Sequence, residues 1–241
     1  MIKSFIEKKL KSFLNFVELN FKLRLGYKSA VDIYYDELQK NCYEFFKKHM
    51  EKASIFLKVE DIRNFSIYKA IKNLNNSKDN NLFLEFGVYT GESINLFAKQ
   101  LRSINKEIYG FDSFEGLKED WLTHVFFPKG ALSLNKKKPK VLKNVNLIAG
   151  YIQDTLEKFL NENLNKKIIF AHMDMDTYES TKFALVKIKP FLKKGSVILF
   201  DEFYGYPNWE QEEYKAFNEV FNKDEFKFIA FCESEVAIEI L

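Results

Sequence analysis

Apolar positions fall into two regimes along the chain. Up to about residue 75 they recur every three or four residues. Ile2, Phe5, Ile6, Leu10, Phe13, Leu14 and Val17 mark one helical face with lysines interleaved, and 36–52 and 60–74 repeat that period. The polar run at 75–81 then separates an N-terminal helical extension, 1–75, from a domain over 76–241. Inside that domain the apolar residues collect into short runs. Those at 82–86, 107–111, 145–149, 168–173, 196–200, 226–231 and 235–240 predict strands, and 92–104, 154–161, 178–192 and 209–222 predict helices. The alternation predicts an α/β fold, a mostly parallel seven-stranded sheet flanked by helices. Only residues 232–234 separate the last two strands, so they close as an antiparallel hairpin with a reversed last strand. Residues 117–144 carry no clear element, and a loop that long is commonly a lid or substrate loop.

Composition narrows the classes. The chain has 241 residues, 46% of them hydrophobic, enough for one large domain or a domain with an extension. A net charge of +3 without a basic stripe offers no electrostatic footprint for nucleic acid. Cys42 and Cys232 have neither metal nor redox spacing and read as thiols in a reducing compartment. No apolar run approaches the roughly 18 residues of a spanning helix. The first eleven residues interleave lysines with apolar residues, unlike a signal peptide. The expectation is a cytoplasmic protein without stable membrane insertion. Its N-terminal apolar face is expected to pack on the α/β domain or a second subunit rather than on a lipid surface.

Chemistry concentrates at the carboxyl ends of the predicted strands, where open α/β sheets bind ligands. The stretch L-F-L-E-F-G-V-Y-T-G-E at 82–92 reads as strand, glycine turn and helix start, the parts of a nucleotide-type cofactor site. It is neither G-x-G-x-x-G nor a phosphate loop. Glu85, Phe86, Gly87, Tyr89, Thr90, Gly91 and Ser93 are its candidate cofactor contacts. After the second strand, Asp112 is spaced to accept from ribose hydroxyls, with Ser113 beside it and Phe114 placed to stack on a purine. After the third, side chains of Gly150-Tyr151-Ile152-Gln153-Asp154 could edge an adenine, Gly150 and Tyr151 first; Asp154 is as readily a helix cap. Asp174 and Asp176 follow the fourth strand, and Asp201 and Glu202 the fifth. Carboxylates gathered in one pocket repel unless a cation joins them, and all-oxygen ligands favour Mg²⁺ or Mn²⁺.

Four motifs in order, Glu85-Phe86-Gly87-Val88-Tyr89-Thr90-Gly91, Gly110-Phe111-Asp112-Ser113-Phe114-Glu115-Gly116, Asp174-Met175-Asp176-Thr177-Tyr178-Glu179-Ser180-Thr181 and Asp201-Glu202, give the chain a recognisable likeness. Over residues 60–241 it resembles the class I S-adenosylmethionine-dependent methyltransferases. More narrowly, it resembles the macrocin O-methyltransferase family, which methylates sugar hydroxyls. The resemblance implies a Rossmann-like methyltransferase sheet and S-adenosylmethionine as cofactor, with Asp174 among its contacts. It also implies Mg²⁺ or another divalent cation, such as Mn²⁺ or Fe²⁺, on Asp174, Asp201 and Glu202. The family usually reads Asp-Asp where this chain has Asp201-Glu202, which changes the reach of the second ligand. Related enzymes place a basic residue at the position of Thr177, which cannot itself be a base.

The implied reaction is transfer of the sulfonium methyl to a sugar hydroxyl, whose acidity a divalent cation raises. Asp174, Asp176 or His124 is expected to accept the proton, and His172 to be a core histidine. The acceptor is expected to be a sugar or nucleotide-linked sugar, in a surface polysaccharide precursor or glycosylated natural product. The enzyme is expected to be a homo-oligomer. The lysine-rich run at 136–140 reads first as a solvated loop and second as a phosphate contact. A catechol-like acceptor would use the same parts, and a non-catalytic adaptor would need neither cofactor turn nor acids. A nucleic-acid methyltransferase would end its fourth strand in Asn/Asp-Pro-Pro-Tyr, which is absent.

Overall fold

The computed structural model describes residues 2–24, 28–74 and 80–241. The chain divides into two compact units, Met1–Asn41 and Cys42–Leu241. The first holds α1 (Ile2–Arg24) and the start of α2 (Ala30–His49). Leu10, Phe13, Leu14 and Val17 lie exposed along α1. Helix α2 begins ahead of the expected residue 36 because Ser29 and Asp32 cap it reciprocally. The Asp32 carboxylate accepts from the Ser29 N–H at 2.8 Å, and the Ser29 hydroxyl accepts from the Asp32 N–H at 3.1 Å.

The second unit continues with β1 (Ser54–Ile55), α3 (Val59–Lys72), β2 (Leu82–Phe86), α4 (Glu92–Arg102) and β3 (Ile108–Asp112). A small ribbon follows, β4 (Trp121–Leu122) with β5 (Phe126–Phe127), then β6 (Val145–Ala149), α5 (Ile152–Asn161), β7 (Ile168–Met173) and α6 (Tyr178–Ile188). The unit closes with β8 (Leu192–Phe200), α7 (Glu213–Val220), β9 (Phe226–Cys232) and β10 (Glu235–Ile240). Eight strands form one sheet in the order β1-β9-β10-β8-β7-β2-β3-β6. Only β10 runs against its neighbours, β8 and β9, so the expected reversed last strand is present. The seven expected strands become eight. The addition is β1, parallel to β9 with Ser54 opposite Ala230, and two residues are too few to show a period.

Every residue of β2 and β7 is buried, as a parallel strand covered on both faces requires. Phe97 of α4 packs edge-on to Phe170 of β7 at 4.9 Å, fixing that helix over the sheet centre. On α3, Ile62, Ile67 and Ala70 are fully buried. Beyond its end, Asn73 donates to the Gly195 carbonyl at 2.9 Å and to Glu239 at 2.8 Å. Residues 42–74, expected as part of the extension, therefore belong with the sheet. The expected boundary itself falls on 75–79, outside the described residues. The stretch 117–144 is more ordered than its sequence implied. Trp121 stacks on Phe127 at 5.2 Å, and the N–H groups of Leu134 and Lys136 both donate to the Phe114 carbonyl. The predicted helix 209–222 is split into a single 3₁₀ turn, Trp209–Gln211, and α7. Among the described residues no helix is long and apolar enough to cross a membrane.

Candidate active site

The sheet order changes direction between β2 and β7, and the ends of β2, β3, β6 and β7 converge there on one cleft. The turn after β2 is held by backbone. Gly87 N–H donates to the Phe111 carbonyl at 2.9 Å, and Asp174 N–H to the Phe86 carbonyl at 2.8 Å. Gly87 has φ +87°, and a Cβ there would sit 1.6 Å from the Asp174 carbonyl oxygen, so only glycine fits. Gly91, at φ 83°, caps the start of α4.

Asp112 organises this turn from the neighbouring strand. Its Oδ2 accepts from the N–H groups of Val88 at 2.8 Å and Tyr89 at 2.7 Å, and its Oδ1 accepts from Phe114 N–H at 2.6 Å. Three of the roughly four acceptor positions of a carboxylate are thus filled by backbone. One remains on Oδ1 for a ligand hydroxyl, so the ribose role expected of Asp112 is at most half of its work. The cleft has a volume of about 220 Å³ and opens to solvent. Of the site residues named from the sequence, Gly87, Tyr89, Asp112, Ser113, Gly150, Tyr151, Asp174 and Asp176 line it.

Other expected contacts lie elsewhere. Glu85 is fully buried beneath the turn and accepts from the Ser93 hydroxyl at 2.7 Å, so both face inward. Phe86 stacks on Phe111 at 5.2 Å inside the sheet packing. Phe114, at φ 54°, turns into the core with 1% exposure and cannot stack on a purine in the cleft. Thr90 and Gly91 shape the turn without lining the cleft, and His124 is exposed between β4 and β5, also outside it. The sequence reading missed Leu117, Lys118 and Leu132, which do line it, beside Gln153 of the expected adenine-edging stretch. The Lys118 ammonium sits 5.4 Å over the Tyr151 ring. Gln153 Oε1 is buried without a hydrogen-bond partner. An acceptor placed so beside the cleft matches an exocyclic amine.

At the β7 and β8 ends the chemistry is different. One ligand atom each from His172, Asp174 and Asp201 lie within 4.8 Å of one another. Glu202, the expected third ligand, is not in that set; His172, expected as a core residue, is fully buried and is. Both His172 ring nitrogens lack hydrogen-bond partners, with Glu85 Oε2 3.6 Å from one and Asp201 Oδ1 3.9 Å from the other. Burial, then Asp201, Asp176 and Glu85, push the Asp174 carboxyl well above its usual range. Asp176 is pushed the same way by burial and then Glu202, and Glu202 rises to about 7 through burial and Asp201. The fully buried Glu213 accepts from the Glu202 N–H at 3.3 Å. A divalent cation would relieve this repulsion and satisfy the idle His172 nitrogen, so the residues present fit one.

Residues 84–203 match a family described as a methyltransferase domain. The structure of the calicheamicin methyltransferase CalS11 superposes with a TM-score of 0.58 and 22% identity, covering 76% of this chain and 80% of that one. An apo structure of CalS11, described as a TDP-rhamnose 3'-O-methyltransferase, gives 0.55 at 22% identity over 88% and 96%. The O-methyltransferase NovP gives 0.55 at 19% identity over 75% and 78%. These likenesses carry the fold. No curated protein sequence matches the chain.

Proposed function

We propose that the chain, whose residues 84–203 match a methyltransferase domain, is a class I S-adenosylmethionine-dependent enzyme that methylates a sugar hydroxyl with the help of a divalent cation. The observation that carries this reading is the acid set of Asp174 and Asp201, gathered with His172 directly beside the cofactor cleft. A cofactor turn alone would serve any methyl acceptor; a carboxylate cluster suits a hydroxyl, which must lose its proton at neutral pH. CalS11 and NovP, both named as O-methyltransferases and one for a nucleotide-linked sugar, support the same acceptor class.

Each residue then has a task. The Gly87 turn brings backbone close to the cofactor, Asp112 offers the free position on Oδ1 to a ribose hydroxyl, and Gln153 Oε1 takes an amine hydrogen. Asp174 and Asp201 would hold the cation together with His172, with Glu202 as a further carboxylate beside them. When bound, S-adenosylmethionine supplies the methyl group and the cation acidifies the acceptor hydroxyl. Asp176 lines the cleft two residues past Asp174 and takes the hydroxyl proton on its carboxylate. Burial and then Glu202 push its carboxyl above the ordinary range before any cation binds. Alignment of acceptor oxygen and methyl is the remaining contribution of the cleft walls. A cytoplasmic homo-oligomer acting on a nucleotide-linked sugar, with the cleft and acid residues all carried by the 76–241 segment of the larger unit, completes the proposal.

The test is methyl transfer from S-adenosylmethionine to a panel of nucleotide-linked sugars and catechols, with Mg²⁺ and with chelator. Turnover of a sugar that chelator abolishes is the expected result. Preference for a catechol, or full rate in chelator, would refute the corresponding half of the reading.

A further inference from the structure

Arg63 reaches the acid set from outside the matched domain. It lies on α3, with its side chain 17% exposed, and its guanidinium is divided between two carboxylates. Nη2 donates to Asp201 Oδ1, and Nε donates to Glu235 Oε1 at 2.7 Å. Glu235 opens β10 and Asp201 directly follows β8, so one planar group ties α3 to two antiparallel neighbours. Burial works against the charge, but Asp201 and then Glu235 hold the guanidinium pKa above its ordinary value.

The backbone of Asp201 is already fixed. Its N–H donates to the Met173 carbonyl at 3.0 Å, and its carbonyl accepts from the Ser234 hydroxyl at 3.0 Å. The direction of its carboxylate is set by Arg63, which engages Oδ1 and leaves Oδ2 outside that contact. A guanidinium fork can satisfy two carboxylates in one plane; an ammonium is a point charge on a flexible stem.

We infer that Arg63, anchored by Glu235, is a positioning residue that aims the Asp201 carboxylate at the divalent cation shared with Asp174. The inference rests on the metal reading above. If Arg63 were only a counter-charge, lysine would replace it without loss. If it aims Asp201, lysine fails although the charge is kept.

Mn²⁺ binding to the full chain, read by electron paramagnetic resonance, separates these cases, with S-adenosylhomocysteine affinity and the thermal midpoint measured on the same protein. For Arg63→Lys, Mn²⁺ affinity is expected to fall about tenfold, the loss common for groups that orient a metal ligand. S-adenosylhomocysteine affinity and the midpoint should stay close to wild type. Glu235→Asp keeps the carboxyl group but shortens the anchor, and should weaken Mn²⁺ in the same direction by less; it carries the test should Arg63→Lys not fold. Wild-type Mn²⁺ affinity in both variants overturns the inference. So does a loss of Mn²⁺ that comes with lost cofactor affinity and a fallen midpoint, which would make Arg63 a staple of the fold. A wild type that takes up no Mn²⁺ removes the metal reading itself, an outcome distinct from a defect confined to the variants.

Discussion

At the ends of β2 and β3 most polar groups are matched: Asp112 takes three backbone N–H groups, and Glu85 Oε1 takes the Ser93 hydroxyl while its Oε2 is left without a hydrogen bond on the His172 side. A few ångströms of strand away, past β7 and β8, the count fails. Asp174, Asp176 and Glu202 crowd together, His172 has two idle nitrogens, and one guanidinium is shared by two acids. The first region is largely finished by the fold, with one Asp112 acceptor position and Glu85 Oε2 left over. The second carries unfavourable charge that the fold tolerates, which marks it as the place where a ligand completes the structure.

Substitutions should therefore act oppositely in the two regions. The largest effect is expected for Asp174→Asn, with turnover reduced on the order of a thousandfold if it holds the cation, as loss of a preorganised charge does. In chelator the same variant should unfold no sooner than wild type, because it removes a repelled charge; a fallen midpoint in a thermal melt would erase the contrast. Next comes Gly87→Ala, where the clash with the Asp174 carbonyl and the positive φ should together cost about 3 kcal/mol or more in denaturant unfolding. Asp112→Ala strands three N–H donors and should cost about 2–3 kcal/mol along with cofactor affinity in calorimetry. Stability unchanged by that substitution would make Asp112 a ligand residue only.

A pH series sharpens the comparison further. The folded pKa of Glu202, about 7, lies above its ordinary 4.5, so the folded state holds its proton more tightly. Wild type in chelator should lose that contribution as pH rises from 4.5 through 7, whereas Glu202→Gln should not. The gap in unfolding free energy should open to about 1–2 kcal/mol by pH 8, allowing for solvent screening. Equal slopes would mean that Glu202 is solvated. The smallest effect is expected from Gln153→Ala, about a fivefold loss in S-adenosylhomocysteine affinity, roughly one hydrogen bond.

The strand ends were legible because their chemistry is local: glycine breaks a strand, and acids follow apolar runs at Asp112, Asp174 and Asp201. Direction was not legible. Glu85 sits in a strand buried on both faces, so no alternation shows that it points away from the cleft. Phe114 faces the core because of a left-handed backbone turn that a phenylalanine does not announce. Arg63, Lys118 and Leu132 reach the site or its acids through long-range packing, and only the folded chain brings them there. The alternation of strand and helix gave the sheet its order of elements; β1, at two residues, lay below the length at which any period is visible.

That short strand has a practical consequence. With Ser54 and Ile55 paired to Ala230 and Phe231, and Phe56 N–H donating to the Phe231 carbonyl at 2.9 Å, β1 covers the outer side of β9. A chain trimmed to the matched segment and its following strands would bare those amides on a phenylalanine-rich ribbon. Such a fragment would invite strand-to-strand stacking between molecules, and its poor behaviour in solution would say nothing about the soundness of the catalytic half.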